Sequence, residues 1–111
     1  MERAKQQFKD DIVKACDQIM EDIKGISFEL FIKDHKILNS VTLNLIIIGE
    51  AATHFPEEIR ERNPEIRWTS VVGLRNVIAH EYFEIDPKKI WNTATIHVPE
   101  LKKQMEDLWL G

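Results

Sequence analysis

Residues 34–55 read DHKILNSVTLNLIIIGEAATHF, and the fold turns on how this stretch is built. Val41, Leu43, Leu45 and Ile47 alternate with other residues, a spacing that also suits a β-strand. The wider context favours one long helix from Asp34 to Phe55. Gly49-Glu50-Ala51-Ala52 continues the segment with mostly good helix formers, and Pro56 ends it. The middle of this helix is apolar on most faces. Such a helix is expected to be buried on both sides, within the core or between the core and a second chain.

Helical patterns continue on both sides. From Ala4 to Lys24, Phe8, Ile12, Cys16, Ile19 and Ile23 fall three or four residues apart, one stripe of an amphipathic helix widened by Val13 and Met20. Gly25 is a natural stop, and Ser27 can cap a short turn carrying Phe28 and Phe31. Pro56 to Arg62 predicts a short helix, and Asn63-Pro64 a turn. Thr69 or Ser70 is expected to cap a helix from Val71 to about Ala79, with 81–85 as a connector. Asp86-Pro87 pairs a capping carboxylate with a first-turn proline. The last helix carries Ile90, Trp91, Ala94, Val98, Leu101, Met105 and Leu108, with a kink expected near Thr95–Pro99. Trp68, Trp91 and Trp109 are expected to pack in the core. Together these elements predict a single all-α domain spanning 1–111, an up-and-down four-helix bundle with short additional helices.

Composition narrows the function. The chain has 111 residues, 43% hydrophobic and 31% charged, a balance suited to one globular core. The longest strongly apolar run is Leu45–Ile48, far short of the ~20 residues that span a bilayer. The first residues lack the apolar stretch of a secretory signal, and one cysteine, Cys16, allows no intrachain disulfide. A reducing, cytoplasmic setting and no membrane association are expected. No Cys/His spacing suggests zinc, and no cofactor is expected. The formal net charge of −4 argues mildly against indiscriminate nucleic-acid binding, though a compact RNA site needs only a local cluster of cations.

The chemistry-bearing residues gather in Arg75-Asn76-Val77-Ile78-Ala79-His80-Glu81-Tyr82. Arginine offers a planar fork of donors to phosphate oxygens. Neutral histidine can take a proton near pH 7, its reference pKa being ~6.5. Tyr82 is the one tyrosine in the chain. The same residues also suit a plain helix end, with Arg75 paired to an acid and His80 capping the last carbonyls. Helical positions five apart point ~140° away from each other. Either the helix ends before His80, or two chains pool their residues. Glu50, in an apolar helix, needs a cation or an exposed face, and Arg75 is a candidate partner. His35, His54 and His97 show no acidic partner at a suggestive spacing and predict ordinary structural or surface roles.

Four blocks occur in order: Gly49–Ala52, Asn63–Trp68, Gly73–Phe83 and Ile90-Trp91. Through them nearly the whole chain resembles the HepT-like ribonuclease toxins of the HEPN superfamily. The family pattern of Arg, four residues, His, any residue and Tyr is filled by Arg75, His80 and Tyr82, with Asn76 as the polar residue after the arginine. One departure is Glu81, where many relatives have glycine; a carboxylate there could repel RNA.

The resemblance implies a HEPN-like homodimer whose two Arg–His motifs line one cleft, acting as a metal-independent endoribonuclease on RNA, with tRNA a candidate. Arg75 and His80 would be catalytic, Asn76 and Glu50 would support the site, and Tyr82 would accept AMP from an MntA-like minimal nucleotidyltransferase antitoxin. A non-catalytic HEPN module assisting a nucleotidyltransferase is the rival reading, and a structural bundle with an incidental motif is a third.

Overall fold

A computed structural model describes residues 2–80 and 86–111, with the side chains of residues 2, 3 and 77–80 outside that description. Among the described residues every regular element is helical. The order is α1 (Glu2–Ile23), α2 (Phe28–Lys33), α3 (His35–Ala52), α4 (Glu57–Arg62), α5 (Trp68–His80), α6 (Pro87–Asn92), a π-helical segment (Thr93–His97) and α7 (Val98–Glu106). The all-helical expectation holds. None of these helices is long and apolar enough to cross a membrane.

Local chemistry sets most boundaries. Gly25 takes φ 74°, a left-handed conformation that glycine adopts without a Cβ penalty, just beyond the end of α1. The Ser27 hydroxyl accepts the Leu30 N–H and starts α2. The Asp34 carboxylate accepts from Lys36 N at 3.0 Å and Ile37 N at 3.2 Å and starts α3. Asp86 caps α6 in the same way, through Lys88 N at 2.9 Å. Where a kink is expected, near Thr95–Pro99, the structure has a π-helical segment, Thr93–His97, just before Pro99. Proline has no N–H to give to the preceding turn, so the helix widens there instead of breaking.

Residues 35–52 are helical, so the alternation that suited a strand does not win. Val41, Leu45, Ile48 and Ala52 are fully buried and lie at steps of four and three along one face. Burial on both sides is not what the single chain shows, because Leu43 and Ile47 are 56% and 38% exposed. Helix α3 packs against both α1 and α5, and α7 packs against α1. The core joins Ile12, Cys16 and Ile19 of α1 to this face of α3, with Phe31, Val98 and Met105 closing it.

Helix α5 begins at Trp68, which corrects the expected start at Val71 and the expected caps Thr69 and Ser70. The indole N–H of Trp68 donates to Asn63 O at 3.1 Å while its ring lies edge-on to Phe55. That anchored tryptophan brings the chain into helical geometry early, and Arg67 O accepts the first intrahelical bond from Val71 N. Asn63 is itself a buried junction. Its amide donates to Ile59 O and Trp109 O, and its side-chain carbonyl accepts Trp109 N at 2.9 Å, tying α4 to the C-terminal segment. Trp109 is 40% exposed, contrary to the core role expected for it. Its ring instead carries the Arg62 guanidinium 4.7 Å from the centroid.

Gly49 marks a close approach of α3 and α5. A Cβ there would stand 2.5 Å from the backbone nitrogen of Arg75, whereas one at Gly73 would meet nothing within 4 Å. Gly49→Ala should therefore destabilise the fold by about 1–2 kcal/mol in denaturant melts, because the overpacking outweighs the better helix propensity. Gly73→Ala should leave stability unchanged or raise it by about 0.5–1 kcal/mol. Cys16 gives a second check. Burial, joined by nearby Asp17, pushes its thiol up to about 12. A thiolate-seeking reagent at pH 8 should leave the folded protein unlabelled and modify Cys16 only after unfolding.

Candidate functional site

Arg75 stands where α5 crosses Gly49, so its backbone is held against α3. Its Nη1 donates to Glu50 Oε2 at 3.1 Å. The guanidinium side chain is 38% exposed and the carboxylate 57%. Glu50 therefore has the cationic partner expected of it and also keeps an exposed face. Arg75 Nε is buried and has no hydrogen-bond partner among the described residues. The contact to Glu50 engages one guanidinium nitrogen of a group that carries five N–H donors, so a phosphate oxygen can still be bound.

Glu50 faces a second base. His54 Nε2 lies 3.8 Å from Glu50 Oε1, in the turn just beyond the end of α3. That distance is ion-pair reach for a protonated imidazole and too long for a hydrogen bond. The His54 ring stacks on Phe8 of α1, with centroids 4.3 Å apart and planes 7° from parallel. The reading that His54 lacks an acidic partner is corrected by this geometry. The signal is present in the chain, since Glu50 and His54 are four residues apart and such pairs share a helix face.

The segment bearing His54 is fixed from α4. Arg60 donates from Nε to Phe55 O at 3.0 Å and from Nη2 to Ala52 O at 3.2 Å, satisfying carbonyls that the end of α3 leaves open. Sequence does not single out Arg60, because nothing in the spacing of the chain shows which carbonyls a cation will reach.

Asn76 is exposed and follows Arg75 on α5. Helix α5 runs through His80, so the alternative in which the helix stops short of His80 does not hold. On one helix the two positions diverge by ~140°. The side chain of His80, together with Glu81 and Tyr82, lies outside the described residues. The structure thus brings together Arg75 and Glu50, adds His54 and Phe8, and leaves the relation of Arg75 to the His80 imidazole and to Tyr82 open.

A separate cleft of about 290 Å³ lies between α5 and the C-terminal helices, lined by Arg67, Ser70, Leu74, Ile96, His97 and Gln104 among others. Neither Arg75 nor Glu50 borders it. Among the described residues no three His, Cys, Asp or Glu side chains gather as a metal site would require.

Comparison with known proteins identifies the family of the chain. The family described as Ribonuclease HepT-like matches residues 12–108. The chain is 37% identical over 101 residues to "Putative RNase TTE0752" of Caldanaerobacter subterraneus subsp. tengcongensis, covering 91% of this chain and 90% of that one. It is 34% identical over 108 residues to "Probable ribonuclease HepT" of Thermococcus cleftensis, covering 97% and 98%. No solved structure matches. With the family match spanning residues 12–108 and relatives aligned along nearly their full lengths, the chain belongs to the HepT-like ribonuclease family.

Proposed function

We propose that this protein is a metal-independent endoribonuclease, the toxin of a toxin–antitoxin pair acting in the cytoplasm, with Arg75 and His80 as its catalytic residues. The observation that carries the reading is the Arg75 guanidinium, fixed at the α3–α5 crossing and partly open to solvent, in a chain of a ribonuclease family. Arg75 stabilises the charge that builds on the phosphoryl oxygens, a form of electrostatic help that commonly contributes 10²–10³ in rate, to order of magnitude. His80 removes the proton of a ribose 2′-hydroxyl or returns one to the leaving oxygen. Asn76 orients the phosphate or the imidazole.

A single helix carries Arg75 and His80 on diverging faces, which favours a site shared by two chains. Leu43 and Ile47, large and exposed, lie on the α3 face that leads at helical spacing to Glu50 and His54. An apolar stripe beside a charged site suits a homodimer that closes both Arg–His motifs into one cleft.

Tyr82 is the regulatory residue of this reading. A minimal nucleotidyltransferase partner, MntA-like, would transfer AMP to its phenol, and the added phosphate and adenosine would block the site and repel RNA. The phenol, with a pKa ~10, needs that partner to activate it.

Arg75→Ala and His80→Ala are each expected to lower RNA cleavage at least ~100-fold with helical content unchanged by circular dichroism. Activity that survives either change, or that disappears with EDTA and returns with magnesium, would sink the scheme and favour a non-catalytic module assisting a nucleotidyltransferase. Co-expression with an MntA-like nucleotidyltransferase and ATP should add one or more AMP units to Tyr82 by mass spectrometry. A Tyr82 left unmodified under those conditions argues against this mode of neutralisation.

A further inference from the structure

Three helices contribute to the setting of one guanidinium. Phe8 of α1 stacks on His54, His54 faces Glu50 across 3.8 Å, and Glu50 accepts from Arg75 on α5 at 3.1 Å. We propose that His54 is a positioning residue for Arg75: held flat by Phe8, it fixes the Glu50 carboxylate that aims the guanidinium. The proposal rests on the ribonuclease reading, in which Arg75 meets the reacting phosphate.

The Arg75, Glu50 and His54 side chains are 38%, 57% and 47% exposed. Ion pairs this open to water contribute little to the stability of a fold. The pair also has a functional cost, since Glu50 occupies an arginine donor that an anionic substrate would use. A contact that stabilises little and competes with the ligand is best explained by orientation. It sets the direction of the remaining donors before the phosphate arrives, the pre-organisation on which electrostatic catalysis depends.

Each partner is also restrained. Gly49 lets the Arg75 backbone lie against α3, so its Cα is fixed independently of its side chain. Glu50 has three side-chain torsions and an exposed carboxylate, which would swing freely if Arg75 were its sole contact. His54 offers the other oxygen a second partner, and the imidazole is itself confined in plane by Phe8. Arg60 holds the carbonyls of Ala52 and Phe55 on either side of it, so the backbone bearing His54 is also fixed. Sequence spacing alone can pair Glu50 with His54. The stack on Phe8 and the bridge to Arg75 make the pair part of the site.

The test compares His54→Ala, His54→Gln, Glu50→Gln and the double variant His54→Ala/Glu50→Gln in steady-state cleavage of an RNA oligonucleotide. It is joined by ¹⁵N NMR of the Arg75 guanidinium without RNA, assigned through Arg75→Lys. His54→Ala should lower kcat about threefold to fivefold with KM nearly unchanged, the size expected for loss of one exposed polar contact that orients the guanidinium. His54→Gln, with an amide N–H near the Nε2 position, should restore at least half of the loss. In the Glu50→Gln background, His54→Ala should add almost nothing, because its effect runs through the carboxylate. Guanidinium rotation should be slow in the wild type and equally faster in His54→Ala and Glu50→Gln. Wild-type kinetics in His54→Ala, a full His54 effect without Glu50, or a loss that follows melting temperature and is not restored by glutamine would each overturn the proposal. If the wild-type protein cleaves no RNA, the NMR comparison still decides: faster rotation in His54→Ala supports the proposal, unchanged rotation overturns it, and the ribonuclease reading fails separately.

Discussion

A Cβ at position 49 would stand 2.5 Å from the Arg75 backbone nitrogen, so α3 and α5 lie as close as they do because one of them carries a glycine at the contact. Much of the site depends on that approach. It places Arg75 beside the last turn of α3, within reach of Glu50 on the next position, and it lets Val71 of α5 join the core beneath. Helices held further apart would leave the arginine to find its partner from a flexible stem. The fold thus supplies the aim of the guanidinium through backbone proximity, and the side-chain contacts refine it.

The rest of the molecule secures that crossing from its ends. Arg60 closes the C-terminus of α3, Trp68 anchors the start of α5 through Asn63, and Asn63 holds the backbone of Trp109. Phe55 lies between these devices, edge-on to Trp68. One polar network and one aromatic contact therefore join the segment before the site arginine to the segment after α3. The cost of burying Asn63 is offset because its amide and its carbonyl are all satisfied.

The helices are legible in the sequence because their apolar residues recur at three and four, and because Ser27 and Asp86 cap where short polar side chains should, whereas Asp34, read as the first residue of α3, is its cap. The start of α5 is not legible in this way. Thr69 and Ser70 have the chemistry of caps, but the indole bond from Trp68 back to Asn63, five residues earlier, sets the start, and no cap pattern records it. Trp109 departs from expectation for the same reason, since packing against Arg62 depends on where the chain end returns. The pairing of Glu50 with Arg75 is foreseeable from charge in an apolar helix. The place of His54 is not, because its stack on Phe8 joins two helices far apart in sequence and no local pattern records that distance. The motif residues His80 and Tyr82 stand on resemblance to relatives, and their side-chain geometry lies beyond the described residues.

The bond between Arg75 and Glu50 also bears on selectivity. An arginine that carries its own carboxylate presents little net positive charge to an approaching polyanion. For a nucleic-acid ligand, affinity gained by freeing condensed counterions depends on unopposed cations, with a salt slope of roughly 0.7 per neutralised phosphate on single strands. A pre-neutralised guanidinium in a chain of net charge −4 adds less than that. In the proposed ribonuclease reading, recognition would then lean on the shape and base contacts of the RNA more than on a pull felt equally by every phosphate.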